Sequence, residues 1–385
     1  MRIGIEGQRL FREKKHGMDM VALELVKELQ GIDTENEYYI YIKPDVDSDC
    51  LSETKNFHIV ELSGGSYPVW EQSALPKAAR NDGCDMLHCT SNTAPLNPKM
   101  QLIVTLHDII YMEKSYLKIL ADKGTNYQKF GNVYRRYIVP RVMKMADKII
   151  TVSNFERNRI GEFFGLPEND NRLVAVYNGV SRHFEKITDE GFLKRVKAQY
   201  KLPDNYFFFL GNTDPKKNTK GVLKAFSDFL KQSGKDFTLV MLDYDRDELT
   251  KLLNEIGDPG LEDHIHLTGY VVNTDLPAIY TLCKVFLYPS LRESFGIPML
   301  EAMRCGVPVI TSNTSSMPEV SGGKAVIIDP FKPDEITGGI IKLLDDEKFA
   351  GEIVEQGYEQ AAKFSWKSMA EHVLELYKEV YEKNK

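Results

Sequence analysis

Short runs of apolar residues alternate along this chain with longer stretches in which apolar residues recur every three or four positions. The short runs at 2–5, 38–42, 57–62, 86–89, 102–106, 148–153 and 172–177 read as strands, and the one at 102–106 is apolar enough to be buried on both faces. The stretch 18–29 places Val21, Leu25 and Leu29 at helical spacing. After a charged, strandless stretch at 181–202 the alternation resumes, with strands at 206–210, 237–242, 265–268, 285–288, 307–311 and 324–328 and helical stretches to finish. Regular alternation of short strands with helices signals parallel sheets, so the fold class is α/β with two doubly wound, Rossmann-like domains. The pattern divides the chain into domains at 1–183 and 184–364, with a last helix at 365–385.

The stretch from Ser290 to Gly306 organises the second domain. The strand before it stops at Pro289, Pro298 fits the first turn of a helix, where its missing N–H costs nothing, and Gly306 fits the helix end. One carboxylate, Glu293, therefore lies in a loop, and another, Glu301, lies one turn into a helix. A helix start offers unpaired N–H groups and partial positive charge, which suits phosphate. Two carboxylates beside an anion site make sense if the ligand also carries neutral hydroxyls, as a nucleotide sugar does. Helix dipole preference also favours a Glu in a first turn, and a loop Glu is often merely solvated.

Composition narrows the field. Length of 385 residues suits two domains of ordinary size, and 42% hydrophobic with 27% charged residues is globular. The net charge of −7 argues against a nucleic-acid partner. The cysteines at 50, 84, 89, 283 and 305 form no CxxC pair, which fits a reducing compartment. Cys84, His88 and Cys89 lie together but have no second ligand cluster, so no metal is expected. No signal-peptide pattern and no apolar run of membrane-spanning length is present, which points to the cytoplasm or the inner membrane face.

Other candidates sit where strands end, the usual ligand side of such sheets. The first loop lacks G-x-G-x-x-G, which argues against a dehydrogenase, and its Gly17 could simply supply φ > 0. His107 and Asp108 end the strand at 102–106, and a histidine there is as often a satisfied structural group as a functional one. Lys216 and Lys217, in a loop at a helix start, place charge and N–H groups on one spot. The region 111–130 lacks clean periodicity. Residues 129–148 carry Lys129, Arg135, Arg136, Arg141, Lys144 and Lys148 among aromatic and aliphatic residues, interrupted by Pro140. That is either a solvated helix face, the slightly favoured reading, or a surface for anionic lipid or a charged acceptor.

Glu293 and Glu301, eight apart around Phe295-Gly296, resemble the E-x7-E motif of the retaining group 1 glycosyltransferases, family 4, whose two domains face a cleft in the GT-B fold. Thr-Leu-His107-Asp108, Ala-Asp-Lys-Ile-Ile-Thr-Val-Ser and Gly211-x3-Pro215-Lys216-Lys217-Asn218 are similar to further family patterns, and the likeness covers nearly the whole length. It departs at Met20 and Asn212, where arginine is common. The resemblance implies hexosyl transfer, with retention, from a GDP- or UDP-linked sugar to a glycan or glycolipid acceptor. It places Gly17 against the donor diphosphate, His107 against the donor sugar, Lys216 and Lys217 on the diphosphate, and Tyr270 near the base. Backbone amides at Phe295, Gly296 and Ile297 complete the phosphate grip, while Glu293 takes sugar hydroxyls and Glu301 the ribose. The departing phosphate takes the acceptor's proton, so neither covalent nucleophile nor metal nor other cofactor is implied. The last helix should return to the first domain, and 111–130 should face the acceptor. The run Ser312-Asn-Thr-Ser-Ser-Met-Pro-Glu319 looks most like members that use GDP-mannose on surface polysaccharides. The rival readings are a hydrolase or epimerase on the same fold, with the two glutamates as acid and base, and a non-catalytic sugar-nucleotide binder.

Overall fold

The computed structural model describes residues 1–113 and 126–383. The chain separates into two compact units, Met1–Asn178 with Trp366–Lys385, and Gly179–Ser365. The first link falls a few residues before the expected 183/184 boundary, because the Val180 N–H already bonds to the Phe364 carbonyl of the second unit at 3.4 Å.

The first unit is a seven-stranded parallel sheet of β1 (Arg2–Glu6), β2 (Glu37–Ile42), β3 (Phe57–Glu61), β4 (Met86–Cys89), β5 (Gln101–Thr105), β6 (Lys148–Thr151) and β7 (Leu173–Ala175), in the order β3-β2-β1-β4-β5-β6-β7. The second is a six-stranded parallel sheet of β8 (Tyr206–Phe209), β9 (Thr238–Met241), β10 (Ile265–Leu267), β11 (Val285–Tyr288), β12 (Val309–Ser312) and β13 (Val326–Ile328), in the order β10-β9-β8-β11-β12-β13. Helices cover both faces of such sheets, so central strands must be apolar on both sides. Accordingly every residue of β4, β8, β11 and β12 is buried. Strand order reverses at β1/β4 in one sheet and at β8/β11 in the other. The crevice outside the carboxyl ends of strands at such a reversal is where ligands of doubly wound sheets bind.

Helix α1 (Gly17–Ile32) buries Val21, Leu25 and Leu29 as the spacing predicts. Helix α2 (Asn126–Met145) runs straight through Pro140. Proline inside a helix costs about 3 kcal/mol, but Ile138, Val139, Val142 and Met143 around it are all buried, and each such side chain returns about 1.5–3 kcal/mol. Helix α3 (Thr219–Ser233) follows the lysine loop, and α4 (Ile297–Arg304) follows the glutamate loop. The last helix, α5 (Trp366–Lys383), packs on α1, and its buried Tyr377 hydroxyl meets His88 Nδ1 at 2.7 Å. Thr105 takes the other ring nitrogen at 2.8 Å, so His88 is a structural residue of β4. All five cysteines are free thiols. No described helix is long and apolar enough to cross a membrane.

Candidate active site

In the second unit, two loops leave the carboxyl ends of β8 and β11 side by side. After β8, the Asp214 carboxylate accepts from the Lys216 N–H at 3.1 Å and starts a tight turn over Pro215–Lys217. Asn218 closes that turn with φ of 61°, a left-handed conformation that asparagine tolerates. Its side-chain amide donates to the Pro289 carbonyl at 3.1 Å and the Pro330 carbonyl at 2.7 Å, and the Leu291 N–H donates to the Lys216 carbonyl at 2.7 Å. The lysine loop is thus pinned to the glutamate loop before any ligand arrives.

The consequence is a preformed charge pair. Lys217 Nζ donates to Glu293 Oε1 at 2.6 Å, with both side chains largely buried. The same ammonium stands 5.1 Å above the centre of the Tyr288 ring. Lys216, by contrast, is half-exposed, and its carboxylate partner among the described residues is its own loop's Asp214, at 3.8 Å. A pair in these surroundings is short and strong, and removing one partner strands the other.

A serine-rich loop after β12 holds the glutamate segment. Ser315 Oγ accepts from the Glu293 N–H at 3.0 Å, and Ser316 Oγ donates to the carbonyls of Glu293 at 3.0 Å and Phe295 at 3.1 Å. Ser312 Oγ donates to the Ser290 carbonyl at 2.7 Å. Gly296 turns the chain into α4 with φ of 99°, and a Cβ there would fall 2.5 Å from Met317 Cε. The Phe295 ring is buried against Phe364, so only its backbone faces the loop. Pro298 stands in the first turn of α4, and Ile297 begins it, so the first amides of the helix have no intrahelical acceptor.

One turn on, the Glu301 carboxylate accepts from the Tyr280 hydroxyl at 3.2 Å. Burial pushes this carboxyl up to about 7, against which the tyrosine bond works only partly. Glu301 thus titrates near neutrality, poised to ionise when a donor of hydrogen bonds comes close. Tyr270 is 73% exposed, which removes the core-packing alternative for it.

In the first unit, His107 follows β5 and is buried. Its backbone N–H donates to Asn92 Oδ1 at 2.6 Å, and its Nε2 lies 3.0 Å from the Thr90 carbonyl. A carbonyl only accepts, so Nε2 carries the proton and Nδ1 is left as an acceptor. Burial lowers its pKa and keeps the ring neutral, although the charges of Asp108 and Asp19 pull the other way. Asp108 itself bonds to the Ile110 N–H at 3.0 Å. Gly17 is the first residue of α1 and does not have a positive φ, contrary to the loop-glycine reading. No described atom lies within 4 Å of where its Cβ would be, so open space adjoins its backbone.

The structure therefore brings Lys217, Glu293, Gly296 and Glu301 into one pinned assembly, with Lys216 and Tyr270 on the same unit's surface and Gly17 and His107 on the other unit. Sequence reasoning did not assign roles to Tyr280, Tyr288, Ser315 or Ser316. Only the run Ser312–Glu319 gave a signal, as a segment like that of members that use GDP-mannose. Of 111–130, residues 114–125 and the side chains of 126–129, Lys129 among them, lie outside the described residues.

Two family models match the chain: Glycosyltransferase Family 4 over residues 16–184 and Glycosyl transferases group 1 over residues 193–360. The O-antigen chain mannosyltransferase B of Escherichia coli is 33% identical over 234 residues, covering 60% of this chain and 61% of that protein. The serotype-specific mannosyltransferase WbdA of the same species is 30% identical, over 62% of this chain and 30% of its own length. The chain thus matches less than two thirds of the length of these curated relatives. Among solved structures, HepE of Anabaena in complex with UDP superposes with a TM-score of 0.74 at 16% identity, covering 98% of this chain and 100% of that one, which shows a shared two-domain fold.

Proposed function

This chain belongs to the group 1 glycosyltransferases of the family 4 type, and from that premise we propose that it moves a mannosyl unit from a nucleoside diphosphate sugar to a hydroxyl of a growing surface polysaccharide, with retention at the anomeric carbon. The observation that carries this reading is the Lys217–Glu293 pair at 2.6 Å, pinned beside the start of a helix that bears Glu301. It combines a cation for a diphosphate with carboxylates for neutral hydroxyls.

In this mechanism the bond from the anomeric carbon to the diphosphate oxygen breaks and a bond to the acceptor oxygen forms on the same face. The acceptor's proton passes to the leaving diphosphate. Negative charge grows on that leaving group, and the Lys217 ammonium, the Lys216 ammonium and the first amides of α4 stabilise it, the kind of preorganised term that usually dominates catalysis. Glu293, already holding Lys217, accepts from sugar hydroxyls and so ties sugar position to phosphate charge. Glu301 accepts from ribose hydroxyls, which favours its ionised form on binding. Neutral His107 offers Nδ1 as an acceptor for a sugar hydroxyl. Because the lysines supply the positive charge, no metal is needed.

Thermal shift against UDP, GDP, ADP, TDP and CMP, each with and without EDTA, tests the donor site. A selective response to GDP that survives chelation supports the reading, and no response to any nucleotide defeats it. Anomeric analysis of the product by NMR tests retention. Helix α2 also exposes Phe130, Val133 and Tyr137 beside Arg141 and Lys144, which suits an enzyme resting on an anionic membrane that carries a lipid-linked acceptor. Cosedimentation with phosphatidylglycerol vesicles checks that point, and no binding at low salt would remove it.

A further inference from the structure

Among the described residues, five other than glycine have a left-handed backbone: Asn92 (φ 70°), Lys99 (63°), Lys201 (52°), Asn218 (61°) and Ser315 (50°). Lys99 and Lys201 are exposed. Each of the other three holds the backbone of a segment of the candidate site. Asn92 Oδ1 accepts from the His107 N–H at 2.6 Å, the Asn218 amide donates to the Pro289 carbonyl at 3.1 Å, and Ser315 Oγ accepts from the Glu293 N–H at 3.0 Å. Asparagine enters the left-handed region readily because its side chain bonds locally, whereas serine has no such preference. Ser315 is the outlier of the three.

Its hydroxyl also works in the opposite sense from those beside it. Ser312 Oγ donates to the Ser290 carbonyl at 2.7 Å, and Thr314 Oγ1 donates to the Ser290 and Leu291 carbonyls, each at 3.2 Å. Ser316 Oγ donates to the Glu293 and Phe295 carbonyls at 3.0 and 3.1 Å. Three hydroxyls thus hold carbonyls of the glutamate loop, and of the four Ser315 alone takes one of its N–H groups. With Ser316 on the Glu293 carbonyl and Ser315 on the Glu293 N–H, the peptide groups on both sides of the Glu293 Cα are tied down. Hydrogen bonds are directional, so the two ties fix the Cα–Cβ bond of Glu293 and the line along which its carboxylate meets Lys217 Nζ at 2.6 Å. Glycine would adopt the backbone of residue 315 without strain, so serine stands there at a cost that its one hydrogen bond does no more than offset. Strain of this kind gathers where a geometry is needed for function. We propose that Ser315 is a positioning residue for glycosyl transfer: its hydroxyl sets the backbone of Glu293, and so the carboxylate that aligns the Lys217 ammonium with the donor sugar. The word transfer rests on the reading above, but the hold on Glu293 can be measured without it.

Two variants test the proposal. Ser315→Gly removes the hydroxyl and the strain together, and Ser315→Ala removes the hydroxyl and keeps the strain. A reacting group displaced by about 1 Å can cost about 10²-fold in rate, so both variants should lower kcat with GDP-mannose by about tenfold or more. The Kd for GDP, which lacks the sugar that Glu293 addresses, should stay within about threefold of wild type. Ser315→Gly should nevertheless melt above Ser315→Ala, because glycine suits φ of 50°. A serine that serves stability alone would make activity follow the melting temperature. An active Ser315→Gly beside an impaired Ser315→Ala would therefore overturn the proposal, as would a kcat within about twofold of wild type in both. Hydrogen exchange at the Glu293 amide, followed by mass spectrometry, separates this outcome from failure of the transfer reading. Exchange should be about tenfold faster in Ser315→Gly than in wild type, and equal exchange overturns the proposal whatever the rates of transfer. A wild-type protein that transfers nothing from GDP-mannose, with exchange still faster in the variant, would defeat the transfer reading and leave the hold of Ser315 on Glu293 standing.

Discussion

The two units gather their candidate residues in different ways. In the second unit Lys217, Glu293 and Glu301 come from two short segments, each following one strand, and are locked together by Asn218 and the serine loop. In the first unit a cavity of about 490 Å³ draws on the loop after β1, the start of α1, the segment before Trp70, the loop after β4 and helix α2. Charges at fixed spacing can be written as a local motif, as in the second unit, whereas the cavity of the first unit is a shape, assembled from residues far apart in sequence. The one is therefore readable along the chain, and the other is distributed.

The largest expected effect tests the local assembly. In the proposed mechanism Lys217→Ala removes the main stabilising charge for the leaving group and strands Glu293, so kcat should fall by about 10²–10³, or about 3–4 kcal/mol. Steady-state rates with the preferred donor would show it, and unchanged turnover would take Lys217 out of the diphosphate site.

Next comes the pH response of Glu301. Its carboxyl is raised from 4.5 to about 7 in the folded protein, so folding favours the protonated form. The associated stability is present below the unfolded value and is lost as pH rises through 7. At 1.36 kcal/mol per pH unit across that interval, the loss is about 3 kcal/mol. Glu301→Gln should abolish this loss, so denaturant titrations at pH 5 and pH 8 should show wild type falling relative to the variant. Parallel curves would mean that the carboxyl is not buried as described.

A smaller effect belongs to Gly296→Ala. A Cβ at φ of 99° costs about 1–2 kcal/mol, while Met317 must shift to make room, so the melting temperature should drop by several degrees and nucleotide binding should weaken with it. The smallest belongs to Tyr270→Ala. At 73% exposure the ring contributes by stacking alone, about 1 kcal/mol, so nucleotide affinity should fall roughly fivefold with stability unchanged. No change in affinity would free Tyr270 from any role with the base.

What could be read from sequence follows the same division. Parallel α/β architecture showed in the spacing of apolar runs, because buried parallel strands leave little freedom in composition. Lys217 and Glu293 showed because each lies in a loop after a strand within a few residues of a glycine or proline, and Glu301 because Pro298 and Gly306 mark the helix that carries it. Tyr280 and Tyr288 did not, since a buried tyrosine in a strand or helix looks like core until its hydroxyl is seen to face Glu301 or Lys217. The ion pair between Lys217 and Glu293 could not be read at all, because the two residues are joined only through the pinning of two loops. Pro140 misled in the other direction: a helix-breaking residue is tolerated where Ile138, Val139, Val142 and Met143 around it are buried.

The return of α5 has a consequence for biosynthesis. The second unit is continuous in the chain, whereas the first is completed only by Trp366–Lys383. A ribosome therefore delivers every residue of the second unit before it delivers the helix that covers α1 and meets His88 through Tyr377. Until that helix emerges, the imidazole of His88 on β4 has one nitrogen unanswered, and all seven strands of the first sheet wait for the helix that covers α1. The first unit is thus begun first and completed last.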